Sequence, residues 1–142
     1  MRISITGLLD PRRAAEISEH FTVEFLSRLA AELDPRRAVE VVSAITADTV
    51  VSVSVAMAAN GEHIAMGRFV AYLDDAALSL CIEALRDEDL LRVAFVMEGE
   101  ERFTSVFEMI GVERAKRMLG AAHVNGLIEE AEHVAGRLQA AS

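Results

Sequence analysis

Apolar residues recur along this chain at helical spacing, in sets that resemble one another. The first set is Ile17, Phe21, Leu26, Leu29 and Leu33, and the second is Val41, Ile45, Val50, Val53 and Met57. The third is Phe69, Leu73, Leu78, Cys81 and Leu85. The fourth is Val93, Met97, Phe103, Val106 and Ile110, with one inserted residue, and the fifth is Met118, Ala122, Leu127 and Val134, with the charged Glu130 as a mismatch that weakens this terminal copy. Steps of three and four residues place side chains on one helix face, so each set predicts helix. The wider step inside each set predicts a break. In the first three sets that break holds Thr22, Thr46 and Asp74. Such side chains accept a hydrogen bond from the unpaired backbone N–H groups of a first helical turn. Each set therefore reads as two short helices with a cap between them.

The same register appears as outright repetition. Asp10-Pro11-Arg12-Arg13-Ala14 recurs as Asp34-Pro35-Arg36-Arg37-Ala38, a period of 24 residues. Asp before Pro suits a helix start, because proline at the first helical position forfeits no hydrogen bond. Gly61 and Gly111 stand where helices should stop. The expected fold is all-α: a short α-solenoid or superhelix of about five helical hairpins, about ten short helices. Its repeats lie near 10–33, 34–60, 62–85, 87–110 and 112–138 of a single domain. No hairpin can bury its stripe alone, so neighbours must stack. The run Thr49-Val50-Val51-Ser52-Val53-Ser54-Val55 alternates like a strand. The repeat register passes through it, and no partner strand is evident elsewhere, so helix is expected there too.

The segment from Thr49 to Gly61 has no charged residue. A helix apolar all round needs cover on every side. Val50, Val51, Val53, Val55 and Met57 are accordingly the expected interface, for a protein partner or a homodimer. The 142 residues suffice for a sizeable core, and 52% apolar against 26% charged is a globular composition. The net charge of −9, with no basic stripe, argues against nucleic-acid binding through phosphates. No apolar run is long enough for a membrane span, and no secretory leader is evident, so a cytoplasmic location is expected. A single cysteine excludes an internal disulfide and a Cys-based zinc site, and Cys81 reads as a core residue.

Candidate chemistry is sparse. There is no Gly-rich phosphate loop, no Gly-x-Ser-x-Gly and no His-Glu-x-x-His, so no enzyme is expected. Glu130-Ala131-Glu132-His133 has the Glu-x-x-His spacing of di-iron bundles but no second copy. His20, His63, His123 and His133 are scattered. Asp74, Asp75, Asp87 and Asp89 are the carboxylates most able to share a divalent cation such as Mg²⁺, which needs only two or three of them because it keeps several waters. No other cofactor is expected. A third reading is a small-molecule binder or enzyme with a pocket between hairpins, lined by Met57, Met66, Phe69 and Phe95.

The segment Leu33-Asp34-Pro35-Arg36-Arg37-Ala38-Val39-Glu40-Val41-Val42, followed by a short helix from Thr46, resembles the intracellular N-terminal domain of MgtE-type magnesium transporters. It is similar as well to the short-helix superhelix of the flagellar switch protein FliG. The resemblance spans roughly residues 8–138 and implies a non-catalytic, regulatory helical module. In the transporters, acidic residues at the domain's interface bind Mg²⁺. The motif is structural, so no binding residue is carried over from it.

Overall fold

The computed structural model describes residues 23–32, Asp34 and residues 46–141, and all regular structure among them is helical. The elements are α1 (Val23–Glu32), α2 (Ala47–Ala59), α3 (His63–Phe69), a 3-10 turn (Val70–Tyr72), α4 (Asp75–Ala84), α5 (Asp87–Val96), α6 (Glu100–Ile110), α7 (Val112–Gly120) and α8 (Ile128–Ala141). The Asp10–Pro11 and Pro35 helix starts, the Thr22 cap and most of the first apolar set lie outside the described residues.

Local chemistry sets the helix ends. The Thr49 N–H donates to Thr46 Oγ1 at 3.2 Å, and the Ala77 N–H donates to Asp74 Oδ1 at 2.8 Å. Both caps are those expected from the sequence. The valine-rich run is helix α2, since its apolar side chains are worth more against neighbouring helices than strand propensity is worth to an unpaired edge. It stops at Asn60 with a paired closure. The Gly61 N–H donates to Ala58 O and the Glu62 N–H to Met57 O, with Gly61 at φ +75°. That reverse turn satisfies the last carbonyls and needs a residue that tolerates left-handed backbone.

The helices pair at a distance of two. α2 packs on α4, α3 on α5, α4 on α6, α5 on α7, and α6 on α8. In addition α1 packs on α2, and α5 packs on α8. Adjacent pairs such as α2/α3 and α6/α7 are in contact as well. Leu73, Leu85 and Met97 each end a helical stretch in an extended conformation, with ψ of 143°, 151° and 137°. An extended residue swings the chain off the preceding axis. The next helix then cannot fold straight back along the last.

The expected stripe is the core. Val50, Met57, Phe69, Leu78, Cys81, Leu85, Val93, Met97, Phe103, Val106, Ile110, Met118, Ala122, Leu127 and Val134 are all buried. Val53, Leu73 and Glu130 are half-buried. Val50, Ala77 and Cys81 form a small separate cluster between α2 and α4. α3 and α5 approach so closely at Gly67 that a Cβ there would lie 2.8 Å from Val96 Cγ2. Gly67→Val should therefore lower stability by about 2 kcal/mol, the usual cost of overpacking. Urea unfolding reads this directly, and adding Val96→Ala should recover part of the loss.

The three extended ends share a further device. Arg102 of α6 donates to Val70 O at 3.1 Å, to Leu73 O at 2.5 Å and to Asp75 Oδ1 at 3.0 Å. Arg114 of α7 donates to Ile82 O at 2.6 Å, Leu85 O at 2.6 Å and Asp87 Oδ1 at 2.8 Å. Arg137 of α8 donates to Met97 O at 2.8 Å, Ala94 O at 3.4 Å and Glu100 Oε1 at 3.0 Å. Val70, Ile82 and Ala94 are 12 residues apart, as are Leu73, Leu85 and Met97. Each arginine thus binds the orphan carbonyls ending one helix and the acid beginning the next, from a helix three places further on. Guanidinium suits the task because its planar fork presents several donors at once.

Candidate functional site

Four carboxylates were expected to be available for a cation, and each has another partner. Asp74 caps α4. Asp75 pairs with Arg102 and Asp87 with Arg114. Asp89 is buried, its side chain only 4% exposed, and accepts from His63 Nε2 at 2.8 Å and from Arg86 Nε at 3.1 Å. Among the described residues no three His, Cys, Asp or Glu side chains come together as a metal-holding group. The arginine partners of Asp75 and Asp87 each lie 27 residues further along the chain, beyond the reach of local spacing.

Sequence reasoning missed the His63–Asp89–Arg86 cluster. His63 begins α3 and Asp89 lies in the first turn of α5, and the packing of α3 on α5 brings them together. Burial pushes the Asp89 carboxyl up. The bonds from His63 and Arg86, with their charges, outweigh burial and hold it below the usual carboxylate value. A carboxylate whose folded value is depressed adds stability above its unfolded value, near 3.9, and loses it as pH falls through the folded one. The melting temperature should therefore drop by several degrees between about pH 4.5 and pH 3. In Asp89→Asn that part of the acid slope should be missing, which a series of thermal melts across pH will show.

The five residues expected to form an interface divide. Val50 and Met57 are core, Val51 and Val53 are half-buried, and Val55 is 43% exposed. Met57, Met66 and Phe69 are buried together, whereas Phe95 is exposed and meets the edge of the His133 ring at 5.1 Å. Cys81 is a core residue, as expected. Burial pushes its thiol up, against the opposing bond from Ser54.

Concave apolar surface lies at the other end of the described chain. An open groove of about 430 Å³ runs between α6, α7 and α8. Phe107, Ala115, Leu119 and Leu138 line it, and Val112 stands on its edge with 68% of its surface exposed. α7 supplies this lining because the first turn after Gly111 aims Val112 outward while Met118 is buried on the other face. Gly111, at φ +86°, permits the abrupt change of direction from α6. Two charges flank the groove, Glu108 on α6 and Lys116 on α7. Neither has an ion-pair partner among the described residues. No sequence signal marked the groove, because it is made by the spacing of three helices and not by any run of residues.

No helix among the described residues is long and apolar enough to cross a membrane. In comparison with known proteins, no family model, no curated protein and no solved structure matches the chain.

Proposed function

We propose that this chain is a non-catalytic helical-repeat module that works through protein contact, and that its first partner is a second copy of itself. The observation that carries the reading is the apolar groove between α6, α7 and α8, with Val112 exposed on its edge. Helical grooves of this kind accept the apolar face of another helix. The flanking charges favour self-pairing. In a two-fold contact the same patch meets itself, so Lys116 of one copy can face Glu108 of the other. The packing of short helices on those two places further on, with arginines closing the junctions, supports a solenoid as the scaffold.

Light scattering over a range of protein concentrations tests this. The wild-type mass should rise toward that of a dimer. Val112→Glu changes an exposed position, so it should fold normally and weaken the dimer by about tenfold or more, since an unpaired charge would enter an apolar contact. Lys116→Glu should weaken it as well, and adding Glu108→Lys should restore it. A monomeric mass at every concentration would reject self-association.

A further inference from the structure

We propose that the core void between α2, α3, α4 and α5 is a binding site for a small, neutral, apolar molecule, of about the size of benzene or a short alkyl chain. The void measures about 100 Å³. It is partly open, and it is larger than the water-sized gaps usual between packed side chains. It is of the same order as an engineered apolar cavity of roughly 150 Å³ that stays dry and takes up benzene or xenon. The proposal goes beyond the surface contact proposed above and does not depend on it.

The chemistry of the walls selects the ligand. They are almost wholly carbon and sulfur, with Met57, Met66, Phe69, Val93 and Met97 as the larger side chains. The polar side-chain atoms on the described lining are Ser54 Oγ and Cys81 Sγ, and these lie 3.4 Å apart and bond each other. A water molecule needs two to four polar partners to be held in such a space, and these walls do not offer them. No Asp, Glu, Lys, Arg or His belongs to the described lining. A charged ligand would therefore be stripped of water without compensation. An apolar one gains dispersion contacts with these walls that the empty space lacks. Three of the lining residues are methionines, whose unbranched, flexible side chains can move aside for an entering molecule.

The probe is benzene, titrated into the full chain carrying ¹³C-labelled methionine methyls and followed by NMR. Met57, Met66 and Met97 line the void, whereas Met118 is equally buried but outside it. Saturable shifts of the first three methyls, with Met118 unmoved, are expected. Shifts that grow linearly in all four methyls, or no shifts, would overturn the proposal. Val93→Leu adds a methylene to the wall and should weaken benzene binding at least tenfold. A folded Val93→Leu protein that binds benzene as tightly as wild type would also overturn it. Should that variant fail to fold, the wild-type titration decides the matter alone.

Discussion

Replacing Arg114 by methionine is expected to lower stability by about 3 kcal/mol, the sum of two or so charge-assisted hydrogen bonds lost from a mostly shielded site. The Arg114 side chain is 20% exposed and holds Ile82 O and Leu85 O at 2.6 Å each. Methionine keeps much of the stem's packing, so the loss reports the carbonyls left without a donor. For a domain of this size the melting midpoint should fall by roughly 10 °C. Lysine should not rescue it, because an ammonium cannot span two carbonyls and a carboxylate as a planar fork does. Asp87→Asn should cost about 1 kcal/mol or less, because Asp87 is partly exposed and its ion pair is screened. Arg114→Met and Arg102→Met act on separate junctions and should add. A midpoint for Arg114→Met within a degree of wild type would show that the arginine decorates the junction without holding it.

Phe103→Ala should be more severe, about 3–5 kcal/mol, the usual cost of truncating a fully buried aromatic ring. Phe103 has 0% exposure, its ring lies 4.8 Å from that of Phe107, and the Arg137 guanidinium stacks over it at 3.9 Å. The side chain therefore acts twice, by filling the core beside Phe107 of its own helix and by carrying the cation of α8 on its face. Chemical denaturation of Phe103→Ala, Arg137→Ala and the double variant separates the two. A coupling of about 1 kcal/mol is expected for a shielded cation on an aromatic face. Full additivity would mean that Arg137 acts through Met97 O and Glu100 alone.

These two residues also show what could be read from the sequence. Phe103 lay on the apolar stripe, and burial followed from spacing alone, as it did for Val106, Met118 and Val134. Thr46 and Asp74 were legible as caps because capping is local chemistry, completed within three residues. Arg114 was not legible, since its partners lie 27 to 32 residues earlier and are mostly backbone carbonyls, which leave no trace in composition. One signal was available. Gly99-Glu100-Glu101-Arg102 and Gly111-Val112-Glu113-Arg114 repeat at 12 residues, half the period of the Asp-Pro-Arg-Arg motif. Asp75 and Asp87 repeat at the same interval. These acids have cationic partners on other helices, Arg102 and Arg114. His63 and Asp89 were hidden for the same reason, being joined only by the packing of α3 on α5. The pairing of alternate helices was likewise beyond periodicity, which fixes the face a helix buries but not which neighbour covers it.

The reach of the arginines governs how the chain can come apart. A solenoid whose units touch only their neighbours unravels one unit at a time from either end. Here the α3–α4 junction is closed from α6, the α4–α5 junction from α7 and the α5–α6 junction from α8. None of α6, α7 and α8 can detach without loosening a junction formed earlier in the chain, so fluctuations at that end reach the helices before it. During synthesis the same geometry imposes a delay: each joint is made before the residue that secures it has left the ribosome.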